Sequence, residues 1–299
     1  MKRYGITHET KYTYGTTVDL GLHTARLSPI ENSRQKLLEH QIDVSPQPAW
    51  SVAFHDHFGN SMHHIAIETA HQELIVVQRA IVEVTSPDWT ELPSAPAWET
   101  VREAMRADAF PAFPDVSEFI YASPLVSFDL AATVFAQESF TPGAPLAQAA
   151  YALAKSFKAQ FAYVPGATTI RTSVPEIMEG RKGVCQDFAH AMIAGLRGLG
   201  LPARYVSGYL KTHGPANAEG ITLIGADASH AWVSVWCGLE HGWLEFDPTN
   251  ALVVTNEHIA VAYGRDFSDV TPLRGVIMGG GEHTLDVAVR VELLNDVAA

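Results

Sequence analysis

From Tyr4 to Val84 apolar and polar positions alternate with a period of two in segments rich in Thr, Val, Ile and Tyr, broken by Ser45-Pro46 to Pro48 and by Gly59-Asn60. In the clearest run, Leu74, Val76, Ala80, Val82 and Val84 take one face while Arg79 and Glu83 take the other, which predicts a strand. Residues 1–85 are therefore expected to form an antiparallel β-domain. Pro87, Pro93 and Pro96 remove amide donors between Ser86 and Pro96, so that stretch reads as a linker. After Trp98 the period lengthens, and short helices are expected over Val101–Ala107 and Asp129–Glu138, with a longer one over Leu146–Phe161 behind Pro142 and Pro145. Another helix should begin near Gly183-Val184-Cys185. There Val184, Phe188, Met192, Leu196 and Leu199 recur at helical spacing, until Gly198, Gly200 and Pro202 stop the run. Strands follow at Ala203–Leu210, His230–Cys237 and Gly242–Asp247. A last one, Thr284–Leu293, sets Leu285, Val287, Val289, Val291 and Leu293 against Asp286, Arg290 and Glu292, as in a half-buried antiparallel sheet. The order β, α, β defines an α+β chain: the β-domain, a linker and helical segment over 86–145, and a second unit over 146–299 that keeps the C-terminal strands.

A chain of 299 residues suits roughly two such units, and 47% hydrophobic with 18% charged residues is a globular composition. A formal charge of −13 repels phosphate backbones and anionic lipid heads, so neither nucleic acid nor a membrane surface is an expected partner. Met1 to His8 has basic residues with no apolar core after them, and no later run is long and apolar enough to span a bilayer. Two cysteines make no disulfide framework. A reducing, cytoplasmic setting is expected.

Cys185 lies in Gly183-Val184-Cys185-Gln186-Asp187-Phe188-Ala189-His190, where the helix should start. Free amides and the helix dipole at that end favour a thiolate, although a lone cysteine on a helix is more often a small core residue. Two downstream stretches change the balance. Ala228-Ser229-His230-Ala231-Trp232 opens one strand, and Glu245-Phe246-Asp247-Pro248-Thr249-Asn250 closes the next. A cysteine nucleophile needs an imidazole base, and that base needs a carboxylate to fix its tautomer.

Together these stretches resemble the transglutaminase-like superfamily of papain-like cysteine enzymes, in the bacterial form with a β-rich N-terminal region. Tyr4 to Val84, with Asp56-His57-Phe58-Gly59-Asn60 as its most recognisable turn, is similar to that region, and Phe161 to Asn250 is similar to the core. The resemblance implies a papain-like α+β catalytic core in which the cysteine helix packs on an antiparallel sheet, with Cys185, His230 and Asp247 as its triad. It also implies cysteine-dependent acyl transfer on protein or peptide amides through a thioester, with no cofactor. Hydrolysis of the same acyl-enzyme by a peptidase or amidase, and a non-catalytic binding module, are the alternatives.

The Cys185 amide is the expected first oxyanion donor, and Tyr163 and Gln160 are considered for the second. Acceptor-site walls are expected in Val164–Val174 and Lys211–Asp227. His55, His57, His63 and His64 cluster without a Cys or carboxylate at ligand spacing, so no metal is assigned. Gly279-Gly280-Gly281 lacks a following Gly-Lys-Ser/Thr and reads as a hairpin turn, Ser207-Gly208 lacks the nucleophile-elbow glycine, and His8-Glu9 has no second histidine for a zincin motif. Cys237 is expected to be a structural thiol. If the strands carrying His230 and Asp247 pair directly, those two residues face each other, Trp236 opposes His241, and Trp232 and Ser234 share the His230 face.

Overall fold

The computed structural model describes residues 1–85, 92–211, 224 and 229–294, with the side chains of 107–112 set aside. Five strands come first: β1 (Lys2–Ala25), β2 (Gln35–Ser45), β3 (Trp50–His55), β4 (Ser61–Ile67) and β5 (His71–Val84). They pair in the order β2-β5-β1-β4-β3. β1 is the hub because its pairing with β5 shifts register between Thr13 and Val18, and β4 takes over from Gly21 to Ala25. The expected alternation in β5 holds, with Leu74, Val76, Ala80, Val82 and Val84 all buried.

The helices are α1 (Trp98–Ala112), α2 (Pro114–Ser117), α3 (Leu130–Gln137), α4 (Leu146–Gln160), α5 (Val174–Gly180) and α6 (Cys185–Gly198), with short β6 (Ala162–Tyr163) and β7 (Lys182–Gly183) paired in parallel just ahead of α5 and α6. α6 is the central helix, buried along most of its length. Its approach to α3 is close: a Cβ at Gly195 would stand 2.7 Å from the Ala132 carbonyl oxygen, so only glycine fits that crossing. Of the expected linker, residues 92–96 are described and carry no helix or strand.

The second sheet has the order β11-β10-β9-β8-β12, built from β8 (Ala203–Leu210), β9 (His230–Trp236), β10 (Trp243–Asp247), β11 (Leu252–Val253) and β12 (His258–Gly264). Ala231, Val233 and Val235 of β9 join the core cluster that also holds α6, whereas Trp232 packs on the other side with Val206 and Ala260. After α7 (Phe267–Val270) the chain returns to the first sheet through β13 (Leu273–Gly279) and β14 (His283–Leu293), both antiparallel to β1. The C-terminal strands thus belong by pairing to the N-terminal sheet, not to the sheet that carries His230. Of the face that alternation predicted to be half-buried, Val289 and Val291 are buried while Leu285, Val287 and Leu293 are exposed, and alternation holds no information about which sheet receives the strand. Gly279, Gly280 and Gly281, all at positive φ, connect the two strands as the glycine run suggested.

The two sheets meet along β8 and β12. Tyr4, Ile6 and Val82 pack with Tyr209, Ile259 and Val261 in one buried cluster. Within it the Tyr209 hydroxyl finds a partner at His8 Nδ1, 2.8 Å away. β12 is an edge strand, and an uncovered edge exposes unpaired amides and carbonyls. Side-chain amides of the first domain cover it. Gln35 donates to the Ala260 carbonyl (2.8 Å) and accepts from the Ala260 amide (2.9 Å), and Asn60 does the same at Tyr263, both contacts 2.7 Å. Asn60 is in turn held by Asp56, whose Oδ1 accepts the Asn60 amide at 2.9 Å. The Asp56–Asn60 turn is therefore a clamp between domains. Among the described residues no helix is long and apolar enough to cross a membrane.

Candidate functional site

Cys185 is the first residue of α6, with Val184 extended ahead of it, so its amide has no carbonyl one turn back to bond. Asp187 fixes this start. Its Oδ2 accepts the Val184 amide at 2.7 Å and the Thr168 hydroxyl at 2.6 Å, which also ties the 164–173 loop to the helix. Burial pushes the Asp187 carboxyl up, against those two hydrogen bonds. Gly183 leaves room for this arrangement, since a Cβ there would fall 2.6 Å from Asp187 Oδ2. Cys185 is buried, at 9% exposure.

His230 opens β9, and its ring stands between the sulphur and a carboxylate. Nε2 donates to Asp247 Oδ2 at 2.8 Å, with both side chains wholly buried. Burial opposes charging the ring, but Asp247 and the Cys185 sulphur outweigh it and hold the pKa up at about 10. Burial likewise opposes ionising Asp247, yet His230 and the other donors carry its carboxyl well below the usual range. Those donors are many: Oδ1 accepts the amides of Thr249 (2.8 Å) and Asn250 (3.1 Å), and Oδ2 also accepts Asn250 Nδ2 at 2.7 Å.

The strand register differs from the expected one. Trp236 opposes Trp243 and Val233 opposes Phe246, so Asp247 lies across from Trp232 instead of from His230. The loop is longer than the direct pairing assumed, and the Cys237 amide closes it onto the Gly242 carbonyl at 2.7 Å. A slip of two keeps every side chain on its face, so His230 and Asp247 still meet, diagonally. Trp232 and Ser234 share that face as expected.

Gln160 is exposed and accepts from Arg181 at 3.3 Å, whereas Tyr163 is half-buried with its ring 6.4 Å from that of Phe188. Most of Lys211–Asp227 lies outside the described residues. His57 bonds Glu118 at 2.9 Å and His64 packs edge-on against Phe54, so the histidine cluster is dispersed into separate contacts. Cys237 is buried, and that burial pushes its thiol up to about 12. Brief iodoacetamide treatment near pH 6 should therefore label Cys185 and spare Cys237 in peptide mass mapping; preferential labelling of Cys237 contradicts the assignment.

Sequence reasoning missed His258. It starts β12, which is separated from β10 by two strands, yet the sheet curls enough for its Nε2 to reach Asp247 Oδ2 at 3.1 Å. Gly208 lies across from His230, where a Cβ would stand 2.2 Å from the Ile259 carbonyl oxygen and 2.3 Å from the Trp232 ring, so only glycine fits there. His230, Asp247 and His258 are the one grouping among the described residues whose ligand-type atoms converge, within 4.8 Å. Both Nε2 atoms also lie within hydrogen-bond distance of the one carboxylate oxygen, at 2.8 and 3.1 Å. A second missed group is Glu245, which accepts from Trp232 Nε1 (3.0 Å), Tyr263 (3.0 Å) and Arg34 (2.9 Å) beneath the same face.

Comparison with known proteins agrees with this architecture. Residues 4–83 match the bacterial transglutaminase-like N-terminal region, and residues 134–248 match the transglutaminase-like superfamily. An uncharacterized protein of Mycobacterium tuberculosis (strain ATCC 25618 / H37Rv) is 37% identical over 97% of this chain and 92% of its own length. A protein-glutamine gamma-glutamyltransferase of Pseudomonas aeruginosa is 42% identical over 74 residues, 24% of this chain and 11% of that protein. Among solved structures, a cysteine-protease candidate from Cytophaga hutchinsonii superposes with a TM-score of 0.74 at 20% identity, covering 100% of this chain and 92% of that one, and shares the fold. The chain belongs to the transglutaminase-like superfamily, with the bacterial N-terminal region in front of the core.

Proposed function

We propose that the protein is a cysteine acyltransferase acting on carboxamide groups of proteins or peptides, with Cys185 as nucleophile, His230 as acid and base, and Asp247 as the group that orients the ring. The observation that carries this reading is the wholly buried His230–Asp247 contact, Nε2 to Oδ2 at 2.8 Å, with Cys185 at the start of α6 acting on the same ring. A cysteine nucleophile requires an imidazole as its acid and base, and a carboxylate that orients the imidazole.

The Cys185 sulphur attacks the amide carbon, and the oxyanion is met by the Cys185 amide at the start of α6. His230 gives its proton to the departing nitrogen, the C–N bond breaks, and a thioester with a neutral imidazole remains. His230 then takes a proton from an incoming amine, which attacks the thioester and regenerates the thiolate–imidazolium pair. The short match to a protein-glutamine gamma-glutamyltransferase supports transfer to an amine as the second step. Water in place of the amine gives hydrolysis with the same residues.

The test measures ammonia release from glutaminyl peptides with and without a primary amine. Ammonia accompanied by amine incorporation is the expected result. Ammonia without incorporation makes the protein an amidase, and silence on every peptide removes the acyl-transfer reading in favour of a binding module.

A further inference from the structure

His258 stands outside the residues that match the superfamily, which end at 248. It nevertheless donates to the same carboxylate oxygen that His230 uses, from 3.1 Å against 2.8 Å. We propose, on the reading that Cys185, His230 and Asp247 perform acyl transfer, that His258 is a positioning residue: a neutral imidazole whose Nε2–H fixes Asp247 and limits its pull on the His230 proton.

Three observations carry this. The His258 side chain is wholly buried, and its Nδ1 has no hydrogen-bond partner. Burying an unpaired acceptor is costly, and an apolar residue fills such a space without it, so what the imidazole adds is the bond to Asp247. Next, burial above all disfavours charging the ring. Asp247 on β10 favours its charging, but burial together with His230 on β9 and Arg34 ahead of β2 outweighs this and lowers the His258 pKa. Cys185, beyond His230, acts on the His230 ring. A neutral ring donates a hydrogen bond that lowers the basicity of the carboxylate while leaving it ionised for His230. Last, the first domain holds the strand that bears it. Gln35 brackets Ala260, and Lys2 reaches Glu257, the preceding residue, at 3.2 Å. The placement of the ring is thereby linked to domain docking.

A carboxylate relieved of one donor becomes more basic and binds the His230 proton more tightly. The His230 pKa then rises, and proton delivery to the leaving nitrogen slows. The experiment uses the full chain with His258→Leu, which removes the donor, and His258→Gln, whose Nε2–H replaces it. The rate of Cys185 alkylation by iodoacetamide is followed against pH, with thermal unfolding alongside, and kcat and KM are measured on a glutaminyl peptide. In His258→Leu the high-pH limb of alkylation, which reports loss of the His230 proton, should move up by about one unit. Its kcat should fall about 10- to 100-fold while KM stays within about twofold. His258→Gln should return the limb to its wild-type place and restore most of the rate. A folded His258→Leu with an unmoved limb and wild-type kcat overturns the proposal, as does a His258→Gln that behaves like a donor loss. If His258→Leu does not fold, His258→Met, which also lacks the donor, takes its place, and an unmoved limb with wild-type kcat in that variant overturns the proposal. Alkylation needs no amide substrate, so a wild-type protein silent on every peptide counts against the acyl-transfer reading while the limb still judges His258.

Discussion

Cys185→Ala and His230→Ala are each expected to abolish turnover on amide substrates while leaving a folded protein, with losses on the order of 10⁶-fold, because members of such a set act as a unit. Alanine at 185 deletes only a sulphur at the helix start, where Asp187 and Thr168 hold the backbone independently of it. Removing the His230 ring still leaves Asp247 with its two backbone amides, Asn250 and His258. Asp247→Asn should behave differently. Activity should drop by about 10⁴-fold instead of vanishing, since the orienting group touches no substrate atom. Stability should fall as well, because both Asp247 oxygens accept hydrogen bonds and an amide must turn its NH₂ toward at least one of those donors. Steady-state rates beside urea unfolding of the same three variants check this. Wild-type turnover in Cys185→Ala means that the nucleophile has been misassigned.

How far the sequence displays this site depends on the range of the interaction concerned. The start of α6 is legible because helical spacing and Gly183-Val184-Cys185 are local features, and the partition of β9 into two faces is legible because strand alternation is local too. The pairing of β9 with β10 is semi-local and came out displaced by two, since the Cys237–Gly242 loop takes up residues that direct pairing assigned to the strands. Face is conserved under such an even slip, which is why the His230–Asp247 contact survives it. His258 and the C-terminal strands depend on pairings across long separations, β12 on β8 and β14 on β1, and nothing in the alternation of a strand names its neighbour. The Asp56–Asn60 turn falls between these cases. It is visible as a turn, but its purpose appears only when Asn60 is seen on the backbone of Tyr263.

The same long-range docking makes Glu245→Ala the substitution with the largest expected effect on stability. Its carboxylate is nearly buried and receives three donors, from Trp232 on β9, Tyr263 on β12 and Arg34 from the first domain. Tyr263 also stacks on the Arg204 guanidinium, 3.7 Å from the ring centre, with Trp243 at 4.2 Å from the same cation. Removing the acceptor strands these donors inside the protein, which should cost about 3–5 kcal/mol. Arg34→Ala should cost less, about 1–2 kcal/mol, because its side chain retains 20% exposure and solvent screens part of its attraction. The two losses should not add in the double variant, with a coupling of about 1 kcal/mol in a double-mutant cycle read by urea unfolding. Turnover should fall with Glu245→Ala even where the protein remains folded, since Trp232 stands across from Asp247 and its ring lies 6.0 Å from that of His230. A Glu245→Ala protein within about 1 kcal/mol of wild type would falsify the view that this buried carboxylate joins the first domain to the strands beneath the site.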